Sequence, residues 1–95
     1  MELEFSGEVF AWRGPAPHHF VAVPADEAAA LDDARRAVTY GWGMVPVTVG
    51  LGDTAWTTSL WPKDGGYVVP LKAAVRRAEG VELGDVVTLR LTVAL

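Results

Sequence analysis

From its first residues the chain alternates. Leu3, Phe5, Gly7, Val9 and Ala11 fall on one side of an extended backbone, and Glu2, Glu4, Ser6, Glu8 and Phe10 on the other. A period of two with carboxylates on one side predicts a half-exposed strand. Arg13-Gly14-Pro15-Ala16-Pro17 ends it, because two prolines remove ladder donors and a glycine permits a sharp turn. A short second strand is predicted from His19 to Val23, stopped by Pro24. The period then changes. From Asp26 to Val38, Leu31, Ala34 and Val38 recur at helical spacing, with Asp26 and Glu27 in the first turn and Arg35 and Arg36 in the last. That charge order suits the helix dipole. The many alanines of this helix imply close packing against a sheet, and Gly41 supplies a stop.

Met44 to Leu51 and Thr54 to Trp61 form the clearest strand pair, joined by Gly52-Asp53. Pro46 cannot donate a ladder bond, so the first of these strands is expected at an edge or with a bulge. In the second, Trp56, Thr58 and Leu60 share one face and Ala55, Thr57, Ser59 and Trp61 the other. Large apolar groups on both faces fit a barrel or a helix-covered sheet. Pro62-Lys63-Asp64-Gly65-Gly66 has turn chemistry throughout. Tyr67 to Val69 resume as a strand, Pro70 precedes a short helix from Leu71 to Glu79, and Gly80 takes the C′ role. Val86 to Val93 is the last strand, with Val87, Leu89, Leu91 and Val93 alternating with Thr88, Arg90 and Thr92. One of its faces therefore meets water. The chain reads as one domain over residues 1–95, mostly β with two short helices (α+β), with no internal repeat and no dividing linker.

Charge and composition narrow the functional classes. The formal charge of −4 creates no field that favours phosphate backbones, so nucleic acid is not an expected partner unless a local patch supplies one. The longest uncharged stretch, Ala37 to Gly52, is broken by glycines and a proline. It is also shorter than the roughly 20 apolar residues of a membrane span. The acidic N-terminus resembles no secretory signal, and the absence of cysteine is compatible with a reducing cytoplasm, the expected location.

Trp42-Gly43-Met44-Val45-Pro46-Val47, Trp56-Thr57-Thr58-Ser59-Leu60, Gly65-Gly66-Tyr67, Leu71-Lys72, Val75-Arg76-Arg77-Ala78 and Gly84-Asp85-Val86 form a familiar series. Together with Phe5, Gly7, Val9 and Phe20-Val21-Ala22-Val23-Pro24, it resembles a bacterial small-barrel family known as domain of unknown function 1905. The resemblance covers nearly the whole chain. It implies a closed or nearly closed β-barrel of about six strands with helices packed outside, and no activity. In some relatives a similar domain is fused to a second one of the kind labelled YdeI or OmpD-associated, and none is expected within these residues. A looser similarity links Val75-Arg76, Gly80, Gly84-Asp85 and Val87 to AbrB-type swapped-hairpin DNA-binding domains. Leu71 interrupts the Pro-Lys pair of that pattern, and a helix stop followed by a tight strand entry accounts for the glycines.

The chemistry-bearing residues are few. His18 and His19 are the only histidines, and neighbours on a strand point to opposite faces, so they make no metal pair. Neither metal nor cofactor is expected. His19 is the candidate for acid/base work, against the plainer reading of a rim histidine. Lys72 and Arg76 share a face of the short helix, and Lys63 sits in the preceding turn. Together they suggest a small anion site, or else a solvated face. Four tryptophans, Trp12, Trp42, Trp56 and Trp61, either fill the core or line a pocket. No nucleophile elbow, phosphate loop or dinucleotide fingerprint is present.

The residues thus favour binding over catalysis: a small-molecule or accessory binding domain using Trp42, Trp56, Tyr67, Lys63, Lys72 and Arg76. The alternatives are a small barrel enzyme of cyclase or isomerase type using His19, and an AbrB-like DNA-binding or antitoxin module. Monomer and homodimer both remain open.

Overall fold

A computed structural model describes residues 1–12, 18–38 and 45–93, apart from the side chains of residues 34–38. Its elements are β1 (Glu2–Trp12), β2 (His18–Ala22), α1 (Ala25–Val38), β3 (Val45–Leu51), β4 (Thr54–Lys63), β5 (Gly66–Leu71), α2 (Ala73–Glu79) and β6 (Val86–Val93). The strands close into a barrel in the order β1-β2-β5-β4-β3-β6, every neighbouring pair antiparallel. Each strand finds both partners within the chain, so no hairpin is left over to swap. Met1 and Val93 exchange backbone hydrogen bonds at 3.1 and 2.8 Å, which pins the N-terminus to β6.

Alternation decides what faces inward. Phe5 and Val9 of β1, Val45, Val47 and Val49 of β3, and Leu89, Leu91 and Val93 of β6 are buried in one cluster. Gly7 lies on the same inner side, where an added Cβ would come within 2.7 Å of Val21 Cγ1. β-branched and leucine side chains fill the narrow interior, as expected of a barrel with this few strands. Leu31 of α1 and Val75 of α2 join the same core. α1 leaves β2 through Pro24 and packs on β3 and β5, whereas α2 follows β5 and packs on β4. The two helices therefore belong to opposite ends of β5.

The prolines explain how a closed barrel tolerates residues without a donor. Pro46 is paired with Ser59 of β4 but lies before the first β3–β6 pair, Val47 with Val93. Pro62 is paired only with Tyr67 of β5, and Pro70 only with Phe20 of β2. Each sits where a single neighbour is hydrogen-bonded, so its missing N–H breaks no second ladder. The edge or bulge expected at Pro46 is thus the end of one ladder within a strand that is paired on both sides from Val47 to Gly50.

Two other boundaries differ from the sequence reading. The β4–β5 turn is only Asp64-Gly65, with φ of 51° and 80°, while Pro62 and Lys63 stay in the ladder. Two successive positive φ angles make the turn whose twist matches the flanking strands, and Asp-Gly suits it. β5 runs on through Pro70 to Leu71, so α2 begins at Ala73, with Lys72 as its N-cap. Gly80 closes α2 in the left-handed region at φ 64°, its N–H directed to the Arg76 carbonyl. No helix among the described residues is long and apolar enough to cross a membrane.

Candidate functional site

The outer surface of the barrel is divided into two kinds. Over β1, β6, β3 and β4 it is polar: Ser6 and Thr88 hydroxyls lie 2.7 Å apart, Glu4 is paired with Arg90, and Thr48 with Thr57 and Thr92. Over the end of β1, β2, β5 and the end of β4 it is aromatic. Phe10 is opposite Phe20, Trp12 opposite His18, and Trp61 opposite Val68. Phe20 is the hub. Its ring centroid lies 5.2 Å from Trp61, 5.3 Å from Trp12, 6.0 Å from Phe10 and 6.2 Å from His18. Tilted and edge-on geometries at these distances are the favourable ones for aromatic pairs. Phe20 is completely buried yet stands outside the interior cluster, so these rings form a second apolar core on the barrel wall.

Lys63 joins this aromatic patch to a cleft. Its ammonium lies 5.2 Å from the Trp12 ring centroid and 5.7 Å from that of Phe10, and 3.0 Å from Asp64 Oδ2. Beyond it an open cleft of about 440 Å³ separates α1 from the β4–β5 turn. Ala25, Ala28, Ala29 and Asp32 line one wall. Their spacing of three, four and seven residues is one stripe of a helix. The other wall is the Lys63-Asp64-Gly65-Gly66 turn, and Phe10 and Val68 contribute to the apolar lining. The Tyr67 hydroxyl donates to Asp32 Oδ1 at 2.7 Å, tying β5 to the helix wall.

Of the residues singled out in the sequence, Lys63 and Tyr67 meet in this cleft. Lys72 and Arg76 do not. The position opposite Lys63 is Gly66, six residues of extended chain before Lys72, a span of roughly 20 Å. Lys72 Nζ donates to the Thr57 carbonyl at 3.2 Å and Arg76 Nε to the Leu71 carbonyl at 3.3 Å. Trp56 is half-buried against the interior core, and its indole N–H is buried with no partner among the described residues. Trp42 lies outside the described residues. Asp32, Phe10 and the alanine stripe were not singled out, although the shift from Glu to Phe10 and Trp12 on the outer side of β1 marks where the surface changes character.

His18 and His19 point to opposite faces, as their adjacency requires. His18 joins the outer rings, 5.9 Å from Trp61. His19 lies on the inner side opposite Leu71, with Nδ1 buried and unpartnered among the described residues. Its pKa is lowered from 6.5, first by desolvation and then by the Arg76 guanidinium. The unfolded chain therefore binds more protons than the native one at pH values between the lowered value and 6.5. Stability should rise with pH through that window and hold above it. The urea midpoint of the wild type should fall as pH drops below neutrality, and His19→Gln should flatten that part of the profile. Identical slopes for both proteins would contradict the assignment. No group of three or more His, Asp or Glu side chains able to hold a metal ion occurs among the described residues.

No curated protein matches the chain. The model of one protein family, described as Domain of unknown function (DUF1905), does match, over residues 5–91. With nearly the whole chain covered and the closed six-strand barrel in place, the protein belongs to the DUF1905 family.

Proposed function

We propose that this domain binds a small molecule in the cleft between α1 and the β4–β5 turn. The observation that carries the reading is the combination of volume and lining. About 440 Å³ falls in the range of small-molecule sites, and a mainly apolar wall with a few convergent polar groups is their usual composition. Ala25 and Ala29 are exposed, so packing does not require them to be small. Their small size is what keeps the cleft open. Gly65 and Gly66 let the opposite backbone approach a ligand without side chains in the way.

Ala29→Trp tests the reading. An exposed helical position tolerates substitution within roughly 0.5 kcal/mol, so the variant should keep its melting temperature while filling the cleft. A fragment screen followed by amide chemical shifts should move Gly65, Gly66 and Ala28 in the wild type and leave them unmoved in the variant. Shifts that cluster around Lys72 and Arg76, or survive Ala29→Trp, would refute it, as would a screen with no binders.

The accessory-domain reading draws on a different observation. Trp12, Leu83 and Val86 are large apolar side chains exposed by 36%, 54% and 72%. Catalysis through His19 has weaker support, because its ring nitrogen is buried away from the cleft and no partner among the described residues fixes its tautomer.

A further inference from the structure

Resting on that reading of the cleft, we infer that its ligand is a small organic cation, an amine carried on a narrow apolar body. Among the described residues three charged ones line the cleft: Lys63, Asp64 and Asp32. The Lys63 charge is already met twice, by Asp64 at 3.0 Å and by the Trp12 and Phe10 ring faces. Among the described residues Asp32 is met only by a neutral donor, the Tyr67 hydroxyl at 2.7 Å, and by no ion pair. A carboxylate offers about four acceptor sites, so one hydroxyl leaves both its charge and most of its hydrogen-bonding capacity to a ligand. The described lining thus carries one positive charge against two negative, within a chain of formal charge −4. An anion entering here would have to displace Asp64 from Lys63 and still face Asp32.

The same geometry sets the shape. Ala25 to Asp32 is seven residues of helix, about 10 Å at 1.5 Å per residue. An apolar body of that length lies along the alanines with its ammonium at Asp32, where a charge-assisted hydrogen bond is about twice as strong as a neutral one. Phe10 and Val68 cover its other side.

Three probes of one length separate the outcomes: 3-phenylpropylamine, 3-phenylpropan-1-ol and 3-phenylpropanoate, each titrated into isotope-labelled protein at low salt. The amine should shift the Gly65, Gly66 and Ala28 amides and bind about tenfold more tightly than the alcohol, with the carboxylate weakest. Asp32→Asn keeps an acceptor for Tyr67 and hence the fold, which its melting temperature checks. It should remove the amine's advantage and leave the alcohol unchanged. If the carboxylate binds best, or if Asp32→Asn leaves the amine's advantage intact, the cation inference is overturned while the cleft stands. If none of the three moves those amides at millimolar concentration, the cation inference falls. A blank fragment screen would then take the cleft reading with it.

Discussion

Phe20→Ala should cost about 3–5 kcal/mol of folding stability, the range for truncating a fully enclosed phenylalanine. For a domain of this size that is a fall of more than about 10 °C in melting temperature. It is also a large part of the 5–15 kcal/mol that typically holds such a domain together. The expectation is unusual because Phe20 is on the outer side of the barrel wall, where truncation ordinarily costs little. What makes the difference is the ring of Phe10, Trp12, His18 and Trp61 around it, all within 6.2 Å centroid to centroid. Removing the hub leaves a void that these large rings cannot collapse into without giving up their tilted contacts. Urea denaturation monitored by tryptophan fluorescence reads the result directly, since Trp12 and Trp61 report from the site itself. A loss below about 1 kcal/mol would show that the outer rings are a decorated surface and not a core.

Leu31→Ala should cost about 2–5 kcal/mol, because Leu31 is fully buried and α1 reaches the interior cluster through it. This substitution separates the barrel from the cleft. α1 is the wall that carries Ala25, Ala28, Ala29 and Asp32, and besides Leu31 its anchors include Ala28 in the core and the Tyr67–Asp32 hydrogen bond. The helix amides should exchange with solvent faster than those of β3 and β6, and binding at the cleft should weaken along with that local loss. A stability change near zero would mean that α1 lies on the barrel without closing its core. Equal acceleration in helix and strands would mean that the two form one cooperative unit.

How much of this could be read beforehand depends on the range of the interaction. The β1 alternation, the acidic first turn of α1, the Gly80 stop and the limits of β6 all follow from contacts between near neighbours in sequence, and the structure reproduces them. The turn after β4 was legible in composition but not in length. Five consecutive residues with turn chemistry can hold a loop or a tight two-residue turn, and only pairing of Lys63 with Gly66 decides between them. Pro70 was read as the end of a strand for the same reason: its tolerance within β5 depends on which neighbour lacks a ladder at that point.

The candidate site depends on longer distances still. Lys63 and Tyr67 were both among the candidate binding residues, and they do meet. Lys72 and Arg76 looked equivalent to Lys63 in sequence, yet β5 carries them to the other end of the barrel. Asp32 has an acidic neighbour on the same helix, Asp33, and nothing local distinguishes the two. Its position opposite Tyr67 is made by the docking of α1.

By itself, then, the sequence determined the order of the elements and their inward faces, because hydrophobic period, capping and turn chemistry act within a few residues. The closed six-strand barrel was implied by the family resemblance and not by those local signals. Tertiary structure alone decided that Phe10, Trp12, Phe20 and Trp61 gather on one wall, and that Asp32 and Lys63 face one another across a cleft. Those neighbours come from strands and a helix far apart in the chain, and closure of the barrel is what brings them within reach.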